Sequence, residues 1–225
     1  MGMAGRVIAI GDVHGCWREL DQLLEYLSPA SDDRLIMLGD LVNRGPDSHR
    51  VIEICRRANA ISLLGNHERR LLNYRWLQDP SVLWVSDKKT IDQLSEPDWD
   101  YLAKMKLTHY EEDYQTVFVH AGFLPGRDWR TQTSSIVTEI QVVDKEGQAR
   151  RRSEVKGCPH WSELWEGPPF VVYGHTPAKA VRKTDWTICL DTGCVYGGNL
   201  TAYVLPQKQL YQVKAARQYY EKSLS

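Results

Sequence analysis

Gly39-Asp40-Leu41-Val42-Asn43-Arg44-Gly45 follows the apolar run Leu35 to Leu38 and sets a carboxylate, an amide, a guanidinium and two glycines side by side. A short β-run that ends in Gly-Asp, with an arginine a few residues beyond, lets a sheet present a metal-binding carboxylate beside a phosphate clamp. Alone, the stretch fits a tight glycine turn equally well. It decides the fold because the chain repeats its plan. Arg6 to Ile10 is an apolar run closed by Gly11-Asp12-Val13-His14-Gly15. Trp17, Leu20, Leu23, Leu24 and Leu27 then recur at helical spacing, which predicts a helix over residues 16–27 closed by Pro29. Around Asp40 the same order returns: strand Arg34 to Leu38, loaded loop, then helix Ser48 to Ala58 with Val51, Ile52, Ile54 and Cys55 on its buried side. Ala60 to Leu64, Gly65-Asn66-His67-Glu68 and a helix carrying Leu71, Leu72, Trp76 and Leu77 make a third unit. Successive β-loop-α units predict a largely parallel sheet flanked by helices, with ligands at the carboxyl ends of the strands.

Residues 80–108 interrupt this alternation with two helix-like stretches, Ser86 to Leu94 and Pro97 to Met105, read as an inserted helical cap. From Glu111 onward the character turns to β. Thr116 to Val119 leads into His120-Ala121-Gly122, Phe170 to Tyr173 into Gly174-His175-Thr176-Pro177, and Trp186 to Leu190 into Asp191-Thr192-Gly193-Cys194. Leu200 to Leu205 and Gln209 to Lys214 read as a terminal hairpin or edge pair. Residues 123–169 carry glycine, proline and tryptophan with little periodicity, and a loop that long in a compact domain is ordinarily either functional or hides elements that the pattern does not reveal.

The 225 residues suit a single domain over 1–225 with one substantial core. With 28 basic against 29 acidic residues the net charge is -1, so no global field points to nucleic acid or membrane, and a phosphate-bearing ligand needs a local positive site. Cys16, Cys55, Cys158, Cys189 and Cys194 form no Cys-x-x-Cys pair, which favours a reducing compartment over a disulfide framework or a structural zinc knuckle. Met1 to Gly11 lacks a basic region followed by a long apolar stretch, and no window is long and apolar enough to span a bilayer; a cytoplasmic protein is the expectation. Arg150-Arg151-Arg152 reads as a solvated loop face.

The strand ends together supply Asp12, His14, Asp40, Asn66, His120 and His175. Two carboxylates, an amide oxygen and three imidazoles suit a pair of divalent first-row cations, with Asp40 placed to bridge them. Two such ions roughly 3.5–4 Å apart can polarise a phosphoryl group and share a hydroxide nucleophile. One histidine in such a turn is ordinarily structural; six donors, each ending an apolar run beside glycine, are not.

Gly11-Asp12-Val13-His14-Gly15, Gly39-Asp40 through Arg44-Gly45, Gly65-Asn66-His67-Glu68, His120-Ala121-Gly122 and Gly174-His175 resemble, in order, the five motifs of the phosphoprotein phosphatase branch of calcineurin-like metallophosphoesterases. The resemblance implies a four-layer α/β/β/α sandwich and two divalent metals, often manganese, with iron, zinc, cobalt or nickel as alternatives. It puts Asp12, His14 and Asp40 on one ion and Asp40, Asn66, His120 and His175 on the other. It casts Arg44 as a phosphate clamp and His67 as the general acid for the leaving oxygen. A second arginine clamp is implied, with Arg69, Arg127, Arg130 and Arg150 to Arg152 as candidates. The chain departs from the protein phosphatases at Asn43, where they carry an aspartate that partners the histidine. An amide orients His67 without contributing charge, which disfavours poor leaving groups such as a serine alkoxide and tilts the chemistry toward phosphoanhydrides.

Residues 39–48 and 190–202 are similar to the diadenosine tetraphosphatase-like (ApaH-like) phosphatases, and the second segment also to the phosphatase module of bacterial RNA-repair end-healing enzymes. Asp191 to Gly198 is expected to form a turn-rich wall near the site. The implied activity is hydrolysis of nucleotide phosphoanhydrides such as dinucleoside polyphosphates. The alternatives are a Ser/Thr protein phosphatase acting on phosphoproteins, a broad-specificity or 2',3'-end phosphomonoesterase acting on RNA ends, and a non-catalytic binding module, which the full donor set disfavours. Trp84, Trp99, Trp129, Trp161 and Trp165 could stack a purine, although large aromatics are more often core.

Overall fold

The computed structural model describes residues 5–221; residues 1–4 and 222–225, the two ends of the expected 1–225 domain, lie outside the described residues. In chain order the elements are β1 (Val7–Ile10), α1 (Trp17–Leu27), β2 (Arg34–Met37), α2 (Ser48–Arg57), β3 (Ile61–Ser62), α3 (Asn66–Leu77), α4 (Val85–Gln93), α5 (Glu96–Ala103), β4 (Thr108–Glu111) and β5 (Thr116–Val119). They continue with α6 (Ser134–Glu139), β6 (Val142–Val143), β7 (Ala149–Arg150), β8 (Phe170–Tyr173), β9 (Arg182–Lys183), β10 (Thr187–Cys189), β11 (Asn199–Leu205) and β12 (Gln209–Lys214). One five-stranded sheet has the order β12-β11-β1-β2-β3 and the other β4-β5-β8-β10-β9. As the β-loop-α repeats require, β1, β2 and β3 are parallel, with Ile8 opposite Leu35 and Ile36 opposite Ile61. Strands β5, β8 and β10 are parallel in the second sheet.

Because side chains alternate along a strand, each sheet has two apolar faces to bury. Val7, Ala9, Ile36 and Leu38 pack between the sheets against Phe118, Val172, Ile188 and Leu190. Ile8, Ile10, Leu35 and Met37 point the other way, into Leu20, Leu23, Val51 and Ile52 of α1 and α2. Burying each such aliphatic side chain contributes roughly 1.5–3 kcal/mol before chain entropy is counted. The outer face of the second sheet, Val117, Val119, Val171 and Tyr173, meets Phe123, Val137, Trp161 and Trp165. The result is a four-layer α/β/β/α sandwich whose fourth layer is thin. Among the described residues its one α-helix is α6, joined by the short β6-β7 pair and by aromatic loop pinned by indole N–H bonds from Trp161 to the Ala121 carbonyl at 2.9 Å and from Trp165 to the Pro169 carbonyl at 3.0 Å.

Several elements differ from the sequence reading. The third strand is only Ile61–Ser62, because Leu64 turns away and donates its backbone N–H to the Lys106 carbonyl at 2.7 Å. β11 and β12 form the expected antiparallel hairpin with β12 at the sheet edge, while β11, antiparallel also to β1, is itself an interior strand. Trp76 and Leu77 lie on the open end of α3 and are 66% and 67% exposed. Residues 80–108 are helical as expected, with α4 and α5 packed on α2 and α3. Among the described residues no helix is long and apolar enough to cross a membrane.

The cap is tied to α2 by charge. Asp98 is fully buried and accepts from His49 Nδ1 at 2.7 Å, from the Ser95 backbone N–H at 2.8 Å and from its hydroxyl at 2.6 Å. The hydrogen bond to Asp98 raises the His49 pKa above its ordinary 6.5 despite some desolvation. A group raised in the folded state adds stability that is fully present below the unfolded pKa and is lost as pH climbs through the folded one. Denaturation midpoints of the wild type should therefore fall as pH rises from the ordinary 6.5 through the raised value, and His49→Gln should remove that slope. Parallel pH profiles for both proteins would contradict the assignment.

Candidate metal centre

Every loaded loop lies at the carboxyl end of a parallel strand, β1, β2 and β3 in one sheet and β5 and β8 in the other, so two sheets deliver donors to one edge. The backbone there is held in conformations that side chains avoid. His14, Asp40, Asn43, Arg44 and His175 all have positive φ, between 47 and 71°, whereas Ser28, Gln78 and Gln115 owe theirs to helix or turn ends. Conformations of this kind cost of order 1–3 kcal/mol each and persist where surrounding structure enforces them. Two glycines permit the crowding. A Cβ on Gly65 would sit 2.2 Å from Asp40 Oδ1, and one on Gly174 would sit 2.1 Å from Asp12 Oδ1.

Glu68 provides the enforcement. Its fully buried carboxylate accepts the backbone N–H groups of Asp40 (3.0 Å), Leu41 (2.7 Å), Val42 (3.1 Å) and Gly65 (3.0 Å), which locks the loop after β2 to the first turn of α3. Burial and the neighbouring Asp40 push Glu68 up to about 8, against the pull of these N–H donors. The sequence reading quoted Glu68 within its motif and gave it no role. A glutamate three residues after the glycine that opens a helix is a recognisable N-terminal signal, and it fits here.

The structure brings all six proposed donors together. His14 gives its Nδ1–H to the Val42 carbonyl at 2.9 Å, and His120 gives its own to the Leu38 carbonyl at 2.8 Å. With their outer nitrogens committed, both rings aim Nε2 lone pairs inward, the arrangement that orients metal-ligating histidines. His120 Nε2 then faces Asn66 Oδ1 at 3.1 Å and Asp40 Oδ1 at 3.4 Å, while His175 Nδ1 lies 3.0 Å from the same Asn66 oxygen. Asp40 Oδ2 turns to the other side, 3.5 Å from His14 Nε2. Asp12 accepts the His175 backbone N–H at 3.1 Å. At His120 a ring lone pair faces two oxygens, an arrangement that is repulsive unless a cation lies among them, and the oxygen and imidazole donors gathered on either side of Asp40 are the set that fits divalent metal.

Electrostatics agrees. Burial, with Asp191 and Asp40 nearby, drives Asp12 well above the usual carboxylate range, and burial lifts Asp40 to about 6 against the pull of Arg44. Burial lowers His120 to about 4 and holds His14 and His175 well below their ordinary value, which favours the neutral ring that metal ligation requires.

Arg44 reaches the same point, with Nη1 2.8 Å from His14 Nε2 and its guanidinium over the rings of Tyr196 and Tyr220. His67 stands with His14 and Asp40: its Nε2 is 4.0 Å from Asp40 Oδ2, and its ring packs edge-on to His14. Its Nδ1 contacts Asn43 Nδ2 at 2.8 Å and Arg70 Nη2 at 3.0 Å. Of the other arginines, Arg69 and Arg151 converge on Glu139, whose charge acts on His120 and His175, whereas Arg130 stacks on Trp129 and Arg150 pairs with Asp144. In the segment Asp191 to Gly198, Asp191 acts on Asp12 and Tyr196 lies under Arg44, and Thr192, Gly193 and Tyr196 line a cavity of about 670 Å³. Trp99, Trp161 and Trp165 are core, and Trp84, 45% exposed, sets its ring edge-on to His67. Apart from this centre, Cys16, Glu19 and Cys194 form a buried cluster. The contact with Cys16 and burial raise the Cys194 thiol far above its ordinary value, the behaviour of protonated packing thiols.

Sheet topology and donor set together define a metal-dependent phosphoesterase. The chain belongs to the calcineurin-like phosphoesterase family, whose model matches residues 5–214. It is similar to the asymmetrical bis(5'-nucleosyl)-tetraphosphatase PrpE of Oceanobacillus iheyensis, with 30% identity covering 95% of this chain and 93% of that one. It is similar also to the symmetrical bis(5'-nucleosyl)-tetraphosphatase of Nitrosospira multiformis, with 29% identity covering 92% and 95%. A crystal structure provisionally described as a diadenosine tetraphosphatase superposes with a TM-score of 0.84 at 31% identity over 95% of both chains. The chain is therefore a hydrolase of the phosphatase kind, in a family that implies a divalent metal pair.

Replacing Glu68 by Gln keeps the shape but sets an amide N–H against backbone donors. Chemical denaturation should show a loss of roughly 1–3 kcal/mol, the cost of buried polar groups left unpaired. Unchanged stability would mean that Glu68 does not hold the Asp40 loop.

Proposed function

We propose that this protein is a dinuclear-metal-dependent phosphohydrolase that cleaves phosphoanhydride bonds of nucleotides, dinucleoside polyphosphates above all. Asp12, His14 and Asp40 would hold one cation and Asp40, Asn66, His120 and His175 the other. Manganese is the proposed pair, because oxygen and imidazole donors without thiolate suit it. When bound, the ions supply Lewis acidity to the phosphoryl group and make water a competent nucleophile near neutral pH. Arg44 is the phosphate clamp, its fork matched to two oxygens. Arg69 and Arg151, held by Glu139 beside His175, are the second anion-binding pair. His67 stabilises the departing oxygen from its Nε2 edge.

The observation that carries this reading is Asp40, whose two carboxylate oxygens turn to opposite donor groups, His120 at 3.4 Å and His14 at 3.5 Å. The substrate class rests on different support. Relatives named for bis(5'-nucleosyl)-tetraphosphate hydrolysis align along nearly the whole chain. The neutral amide at Asn43 suits leaving groups that depart readily. The cavity of about 670 Å³, lined by Lys179, Thr192, Tyr196, Asn199, Lys214 and Gln218, has the size of a small-ligand site next to the phosphate clamp.

With manganese added, turnover should rank diadenosine tetraphosphate above inorganic polyphosphate, phosphoserine peptide and 2',3'-cyclic nucleotides. Asn43→Asp should shift the ratio toward the phosphopeptide. Faster turnover of phosphoserine peptide by the wild type, or a ratio that Asn43→Asp leaves alone, would count against the anhydride reading.

A further inference from the structure

The polar groups behind His67 fix where its proton resides. Asn43 Nδ2 lies 2.8 Å from His67 Nδ1 and 2.7 Å from Asp87 Oδ1, with Asn43 and Asp87 both fully buried. Asp87 belongs to cap helix α4. Its carboxylate is held by Arg70 Nε at 2.6 Å, Arg70 Nη2 at 2.8 Å and the Trp84 backbone N–H at 2.7 Å. Arg70 is held in turn by stacking 3.6 Å above the Trp84 ring. A carboxylate oxygen accepts only, so the amide atom that faces it must be the NH2 group; the reversed amide would set oxygen against oxygen. The second N–H of that group points at His67 Nδ1. Arg70 Nη2, which can only donate, points at the same nitrogen from 3.0 Å. Two donors converge on Nδ1, so Nδ1 is an acceptor and carries no hydrogen. The ring hydrogen is on Nε2, the nitrogen turned toward Asp40, and no protein group accepts from it among the described residues.

We propose that Asp87, acting through Asn43 and Arg70, is a positioning residue that keeps His67 in the Nε2–H form, so that His67 donates a hydrogen bond to the leaving oxygen and does not surrender a proton to it. In this step the water oxygen forms a bond to phosphorus as the bridging P–O bond breaks. The bond's electron pair goes to the departing phosphate, which leaves as an anion hydrogen-bonded to Nε2–H, and the water proton passes to solvent. Such a site serves anhydrides, whose leaving phosphate is stable without protonation, and fails alkoxides, which need the proton. The inference rests on the phosphohydrolase reading and deepens it, because the cap supplies the carboxylate that fixes the orientation of the Asn43 amide and of Arg70.

The test uses protein with 15N-labelled histidine, loaded with diamagnetic zinc, the His67 signals being assigned by their absence from His67→Asn. The wild type should show an unprotonated Nδ1 and a protonated Nε2. A protonated Nδ1 in the wild type overturns the proposal whatever the variants do. Asp87→Asn removes the anchor of both the Asn43 amide and the Arg70 guanidinium, so the His67 signals should move toward the Nδ1–H form, with kcat on diadenosine tetraphosphate down about tenfold and KM little changed. Asp87→Glu should restore most of kcat. Equal loss of kcat in both variants with an unaltered histidine spectrum would reduce Asp87 to a packing role and refute the proposal. Absence of metal-dependent hydrolysis in the wild type would instead refute the phosphohydrolase reading on which the inference stands.

Discussion

Four backbone N–H groups from two loops end on one buried carboxylate, Glu68, and the geometry of the site depends on that convergence. The loop after β2 must place Asp40, Asn43 and Arg44 in left-handed backbone while its amides lie away from water. Neither condition is met by local preference, since none of these residues is glycine and no strand partner is available for the amides. Glu68 satisfies the donors and, by sitting in the first turn of α3, sets Asn66 and His67 at a fixed offset from Asp40. The His67 backbone N–H in turn donates to Asp40 Oδ1 at 3.1 Å. Asp40 and His67 are thereby tied together, and the loop that carries Arg44 is anchored at its start.

The second sheet brings His120 and His175 to that body by a different constraint. Gly174 lets the chain pass close to Asp12, and the His175 backbone N–H donates to the Asp12 carboxylate. His120 reaches across the inter-sheet core to donate to the Leu38 carbonyl. Each sheet thus anchors a donor of the other, and the packing of Val7, Ala9 and Ile36 against Phe118 and Val172 becomes a condition for ligand geometry as well as for stability.

Much of this was legible in the sequence. Apolar runs that end in glycine and a donor revealed the parallel strands, and their order revealed which loops share an edge. Less legible were features that depend on tertiary pairing. Residues 123–169 show no period because their tryptophans pack as a lid on a sheet and not as one face of a helix. The interior place of β11 follows from the long return of the chain to β1, which no local pattern records. Glu68 and Asp87 escaped notice for a related reason: a buried carboxylate that serves backbone amides or a neighbour's amide looks, in sequence, like any acidic helix residue. Asn43 was visible as a departure, yet its meaning came from Asp87, far away in the chain and in contact only through the cap.

The central claim is that Asp40 lies between two cations. Crystals grown with manganese and measured at the manganese absorption edge test it directly. Two anomalous peaks per chain are expected, one among Asp12, His14 and Asp40 and one among Asp40, Asn66, His120 and His175. A single peak, or a pair of which only one touches Asp40, would contradict it.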